Sequence, residues 1–191
     1  MDATGAIGPA LWKACIGLGA NLPRRVSGHI YTPEQTVLAA AQSLTELGAV
    51  EAVSSLWRTT PIGPVHNQPD FVNAAAVLRT SLQPEQLLER LLQIEQSFGR
   101  VRGAIDKGPR TLDLDLLLME QAGESGGRDM PVVLQTPRLQ LPHPEMHRRR
   151  FVLAPLAEIA PALRHPLLGR SVQELLLHLD AQQSAHRLDP S

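Results

Sequence analysis

A chain of 191 residues with a formal net charge of −1 has room for one domain with a substantial core, and its charge is too balanced for the non-specific grip on nucleic acid that a basic face provides. Hydrophobic residues make up 43% but aromatic residues only 3%, so the core must be built mainly from Leu, Val, Ile and Ala. The lone Cys15 excludes an internal disulfide and a cysteine-rich zinc site; no apolar run reaches the roughly 18 residues of a membrane span, and no basic-then-apolar leader opens the chain, so the expected compartment is the cytoplasm.

Residues 1–11 read as a loose arm. "WKACIGLGAN" reads as a buried strand leaving through glycines, with Cys15 as a structural thiol. "TPEQTVLAAAQSLTELG" carries the signals of a helix: Thr32 as cap, Pro33 in the first turn, Gly48 as the stop, and Leu38, Leu44 and Leu47 as its apolar side. "AVEAVSSLWRT" is a second strand. The proline-rich "TPIGPVHNQPD" is a stiff loop, and "FVNAAAVLRTS" a third strand. "QPEQLLERLLQIEQSFG" predicts a helix on the spacing of Leu87, Leu88, Leu91, Ile94 and Phe98, ended by Gly99. A basic loop, "RVRGAIDKGP", precedes a fourth strand, "RTLDLDLLLM". "EQAGESGGRD" is a polar hairpin or insertion, "MPVVLQTP" a further edge strand, and "SVQELLLHL" a last amphipathic helix. Residues 181–191 look frayed.

Strand, helix, strand, strand, helix, strand is the ferredoxin-like βαββαβ plan: an α+β fold with an antiparallel sheet, helices packed on one face, and extra C-terminal strand and helix elements. One domain over residues 12–180 is expected, with 1–11 and 181–191 as flexible termini.

Because strand side chains alternate, Asp113 and Asp115 share one face with Thr111, while Leu112, Leu114 and Leu116 take the other. Two carboxylates so close repel, and a hard cation such as magnesium is the simplest remedy. A solvated strand face is the plain alternative. Arg100, Arg102, Lys107 and Arg110 surround the pair, and arginines donate paired hydrogen bonds to phosphate oxygens. No GxxxxGK[ST] string is present, so any nucleotide must be held by side chains and metal. The glycines of "GLGAN" permit a tight turn or close approach by a ligand. In "HPEMHRRRF", His143 and His147 lack the adjacent Glu of a zinc-protease string, and His143 beside Arg148, Arg149 and Arg150 suits a phosphate contact. Phe71 and Asn73, two apart on one strand face, offer a ring and an amide to a planar heterocycle, and Phe151 is another available ring. Glu95 either serves that pocket or faces solvent.

Together "ACIGLGANL", "WRTTPIGPVHNQPDFVNAA", "LLQIEQSFGRVR", "GPRTLDLDLLL" and "LPHPEMHRRRFVLAPLAEIAP", in this order from Cys15 to Pro161, closely resemble the 6-hydroxymethyl-7,8-dihydropterin pyrophosphokinases of folate biosynthesis. The resemblance implies a monomeric enzyme that transfers the pyrophosphoryl group of ATP to the pterin's hydroxymethyl oxygen, releasing AMP, with two Mg2+ ions. It implies metal binding by Asp113 and Asp115, and catalytic roles for these and for Arg100 and Arg102 of a mobile loop. ATP phosphates would be held by Arg100, Arg102, Arg110, His143 and Arg149. The pterin would be held by Thr59, Thr60, Ile62, Asn73 and Glu95, between the rings of Phe71 and Phe151. Phe71, Lys107 and Pro144 depart from the tyrosine, tryptophan and tyrosine of some members. A metal-dependent phosphohydrolase or nuclease would also use paired aspartates. An RNA-binding module would need the exposed sheet aromatics and basic platform that this composition lacks.

Overall fold

The structure, a computed structural model, describes residues 11–61, 68–100, 108–123, 127–179 and 183–189. In chain order its elements are β1 (Trp12–Ala20), the short pair β2 (Arg24–Val26) and β3 (His29–Tyr31), α1 (Pro33–Ser43), β4 (Ala49–Val53), β5 (Trp57–Thr59), β6 (Phe71–Thr80), α2 (Pro84–Ser97), β7 (Asp113–Gln121), β8 (Met130–Pro131), β9 (Leu134–Gln135), β10 (Gln140–Leu141), α3 (Arg150–Ile159), α4 (Val172–Leu177) and β11 (Ala185–Arg187).

The main sheet runs β11-β5-β6-β1-β7-β8, with β4 also on β6, and every pairing is antiparallel. Stripped to its long strands, this is the ferredoxin-like plan. The expected second strand is divided: Ser54, Ser55 and Leu56 separate β4 from β5. Ser54 closes the break, because its hydroxyl accepts from Ala75 N–H at 2.9 Å.

α1 and α2 share one face of the sheet. α1 begins at Thr32 with a capping box closed by Gln35, and Pro33 follows the cap. Its buried stripe is Val37, Ala40, Ala41 and Leu44, spaced i, i+3, i+4, i+7. Leu38, expected on that stripe, is exposed, because one residue on from Val37 turns it about 100° away. Beneath these helices lies an aliphatic core of Ile16, Leu18, Val72, Leu78, Leu87, Leu91, Leu114 and Leu116, among others. α2 ends on Gly99, at φ 79°, with Arg100 N–H donating back to the Glu95 carbonyl at 3.0 Å and Gly99 N–H to that of Gln96. This left-handed stop suits glycine and sets Arg100 just past the helix.

The extra C-terminal helices cover part of the opposite face. α3 and α4 bury Val152, Leu153, Leu156, Val172 and Leu175 against Cys15, Ala75, Val77, Leu117 and Leu118. Burial pushes the Cys15 thiol up to about 12, so it stays protonated and inert. The alternation of β7 breaks where "LLL" begins: a register shift opposite Cys15 and Ile16 puts both Leu117 and Leu118 on the α3 face before Met119 returns to the other. The C-terminal residues are not all frayed. Ala185–Arg187 form β11, which pairs with β5 and covers a strand that would otherwise leave its hydrogen-bonding groups open. No helix among the described residues is long and apolar enough to cross a membrane.

Candidate active site

Register builds the floor of the site. In β1, Gly19 lies opposite Asn73 of β6 on one side and Asp113 of β7 on the other; two residues back, Gly17 lies between Ala75 and Asp115. Directly paired residues point to the same face, so these rows form one surface, with bare backbone at its middle. The glycines therefore serve close approach rather than a turn. A Cβ on Gly19 would meet Asn73 Oδ1 at 3.0 Å. Above this floor opens a cleft of about 490 Å³, lined by Gly17, Gly19, Asn73, Asp113 and Asp115 and walled by the segments around Phe71, His143 and Arg149.

Asp113 and Asp115 share the cleft face, as the alternation requires. Thr111 does not join them: it precedes β7, and its hydroxyl is buried with no partner among the described residues. The two acids differ sharply. Asp113 accepts from Arg100 Nη1 and from Arg110 Nη1, each at 2.5 Å. Among the described residues no side chain donates to Asp115. Burial pushes its carboxyl up to about 7; the charge of Asp113 adds to this, and Arg149 and Arg110 work against it. Among the described residues there is no group of three or more His, Cys, Asp and Glu able to hold a metal, so this pair offers two carboxylates and leaves further coordination positions to water or ligand oxygens. Hard oxygen donors of that number fit magnesium.

The basic groups converge from three elements. Arg100 is gripped by Asp113 and by the deeply buried Glu95, whose Oε1 also accepts from Leu114 N–H at 2.8 Å on the open edge of β7. Burial opposes the charge of Arg100, but Asp113 and Glu95 outweigh it and raise its pKa. Arg110 sits 5.9 Å from the Phe71 ring centre, and Arg149 sits 5.7 Å from that of Phe151. Burial, then the charge of Arg149, lowers the pKa of His143. Its Nδ1 accepts from Glu145 N–H at 3.2 Å, so the neutral ring carries its proton on Nε2.

On the other wall, Asn73 is 4% exposed and donates from Nδ2 to Thr59 Oγ1 at 2.7 Å. Thr60 meets Ser184 through their hydroxyls. Thr59, Thr60, Phe71, Asn73 and Phe151 all line the cleft. Glu95 does not; it lines a second cavity of about 340 Å³ that shares Arg100, Asp113, Asp115, His143 and Pro144 with the first and adds Arg138 and Gln140. Ile62, Arg102 and Lys107 lie outside the described residues.

Sequence reasoning missed Asn21 and Gln183. Asn21, 1% exposed, accepts from Arg110 N–H at 2.8 Å and donates to Gln68 Oε1 and the Pro69 carbonyl, tying the acceptor loop to Arg110. An amide at a strand end before Pro23 was the available signal. Gln183 also lines the cleft, and nothing in the local pattern marks it.

Paired acids, converging guanidinium groups and an adjoining ring-lined pocket define a phosphate-handling transferase site. Residues 15–161 match the family described as 7,8-dihydro-6-hydroxymethylpterin-pyrophosphokinase (HPPK). The chain is 41% identical over 168 residues to the 2-amino-4-hydroxy-6-hydroxymethyldihydropteridine pyrophosphokinase of Synechocystis, covering 87% of this chain and 76% of that one. It is 43% identical over 166 residues to the protein of the same name from Pseudomonas aeruginosa, covering 86% and 90%. Among solved structures it is similar to the Plasmodium falciparum HPPK-DHPS chain at a TM-score of 0.60 and 15% identity, a likeness of fold alone. That match covers 87% of this chain, which spans 43% of the Plasmodium chain. The chain belongs to the HPPK family.

Proposed function

We propose that this chain transfers the pyrophosphoryl group of ATP to the hydroxymethyl oxygen of 6-hydroxymethyl-7,8-dihydropterin, giving the pterin diphosphate and AMP. The observation that carries the reading is the row Asn73–Gly19–Asp113, which sets a heterocycle-recognising amide and a phosphate-side acid on one bare stretch of sheet.

The pterin lies against Asn73 with Thr59, Thr60 and Ile62 at its edge and the rings of Phe71 and Phe151 on its faces. Asn73 has one donor fixed on Thr59 and keeps its other donor and its carbonyl for the ligand. Glu95 acts at one remove, by holding Arg100 and the backbone of Leu114. The triphosphate lies over Asp113 and Asp115, with its nucleoside end toward Arg138 and Gln140 in the adjoining cavity. Arg100, Arg102, Arg110 and Arg149 spread their charge over the phosphates, and His143 donates from Nε2. The guanidinium groups of Arg100 and Arg110 that pair with Asp113 transfer to the triphosphate on its arrival, which frees the carboxylate. The pterin oxygen then attacks the β-phosphorus in line, its bond to phosphorus forming as the α,β-bridging bond breaks, and the alcohol proton leaves to water. Asp113 and Asp115 would hold two magnesium ions, which when bound supply charge neutralisation across the phosphates.

The enzyme works as a monomer. The pairing of β11 with β5 supports residues 12–187 acting as one domain. A nucleotide substrate supports a cytoplasmic enzyme. The test is to incubate the protein with ATP, magnesium and the pterin and separate the products. AMP and pterin diphosphate in equal amounts support the reading; ADP, or free phosphate without a pterin product, overturns it.

A further inference from the structure

We propose that Gln183 is a positioning residue for the phosphate side of the cleft, acting by fixing the backbone on both sides of Arg149. Arg149 is the residue from which α3 starts. Its backbone is extended, at φ −114° and ψ 107°, between the helical turn of Met146–Arg148 and the helix, and its own side chain makes no capping bond. A helix start of this kind leaves N–H groups in need of partners. Gln183 supplies one from far along the chain: Arg150 N–H donates to Gln183 Oε1 at 2.8 Å, and Gln183 Nε2 donates to the Arg148 carbonyl at 2.9 Å. One amide thus bridges the peptide groups before and after Arg149, leaving its guanidinium to the cleft. A glutamine suits the task because it offers a donor and an acceptor side by side.

Gln183 is itself anchored to the acceptor wall. The next residue, Ser184, meets Thr60, and Ala185–Arg187 pair with Trp57–Thr59. The clip therefore fixes the spacing between the wall that takes the heterocycle and the residue that takes phosphate. A misplacement of that spacing costs rate in any in-line transfer. This inference rests on the reading that Arg149 holds ATP phosphates.

The test is a cycle. Gln183→Met keeps the length of the side chain and removes both bonds. A non-hydrolysable ATP analogue with magnesium is titrated into the unaltered chain, Gln183→Met, Arg149→Ala and the double variant, each checked for folding by thermal unfolding. Gln183→Met is expected to weaken the analogue about five- to ten-fold, the scale of a lost helix cap. In the Arg149→Ala background it is expected to change affinity less than about two-fold, since little remains to position. Unchanged affinity in Gln183→Met alone, or the same loss in both backgrounds, overturns the inference and leaves the function standing. Unchanged affinity in Arg149→Ala overturns the phosphate reading and the inference with it. Should Gln183→Met fail to fold, Gln183→Asn, which keeps a neutral amide one methylene too short to bridge both peptide groups, is held to the same criteria at a loss of about two- to three-fold.

Discussion

One face of the central sheet carries two regions separated by only two residues per strand. At one end, Cys15, Ala75, Val77 and Leu117 lie under α3 and α4. At the other, Gly17, Gly19, Asn73, Asp113 and Asp115 floor an open cleft. Strands β1, β6 and β7 run through both ends, so the same backbone serves as core support and as site. The change is one of side-chain volume and polarity, and it falls beside the start of α3 at Arg149. The covered end gains stability from burial. The open end holds two acids that repel, one of them pushed up to about 7. Function here is placed on a rigid floor whose stability comes from its neighbours, a common division between site and scaffold.

Substitutions at the two ends should separate these properties. Asp113→Ala is expected to have the largest effect, lowering kcat/KM by on the order of 10³, about 4 kcal/mol of transition-state stabilisation. Its melting temperature should change little, because relieved repulsion with Asp115 offsets the two lost ion pairs with Arg100 and Arg110; steady-state kinetics beside thermal unfolding checks both. Leu117→Ala, at the covered end, should invert this pattern. It is expected to cost about 2–5 kcal/mol of stability by denaturant titration while the folded fraction keeps its KM for ATP. Gly19→Ala comes next. Its new methyl meets Asn73 Oδ1 at 3.0 Å and fills the bare floor. A roughly ten-fold rise in KM for the pterin is expected, about 1.4 kcal/mol. Gly17→Ala, whose methyl would meet the Leu117 side chain first, at an ordinary contact distance of 3.5 Å, should be better tolerated.

The smallest effect is expected at Glu158, which braces the β5 and β11 end of the sheet. Burial raises its pKa, but the hydrogen bonds from Ser55 and Trp57 outweigh burial and hold the carboxyl below its usual range. A folded pKa depressed in this way contributes stability above the unfolded value, and that stability is lost as pH falls through the folded value. Glu158→Gln should therefore cost at most about 1 kcal/mol at pH 7, discounted for partial exposure, and progressively less as the pH falls through the folded value. A stability difference that grows on acidification would contradict this assignment.

Much of the fold was legible because the strongest signals were local. Thr32–Pro33, the periodic leucines of α2 with Gly99, and the alternation in "LDLDL" each specify an element and a face. The acid pair and the strand face shared by Phe71 and Asn73 follow from the same period of two. What escaped depended on chain segments meeting at a distance. Leu38 points outward because the tertiary packing chose the Val37 stripe. β11 exists because β5 needed a partner, and the polar tail "DAQQSAHRLDPS" carries no periodicity to announce it. Glu95 reads as a helix carboxylate with two possible directions; only the open edge of β7 and the placement of Arg100 turn it inward. Gln183 and Asn21 act through backbone groups remote in sequence, and no motif encodes such a partner.

The account depends most on the acid pair and the ring-lined pocket being two parts of one cleft, so that occupancy of one is felt at the other. Calorimetric titration of 6-hydroxymethyl-7,8-dihydropterin tests this directly, in the presence and absence of magnesium and a non-hydrolysable ATP analogue. Tighter pterin binding with the nucleotide bound is the expected result; equal pterin affinity with and without nucleotide, or no pterin binding under either condition, would contradict it.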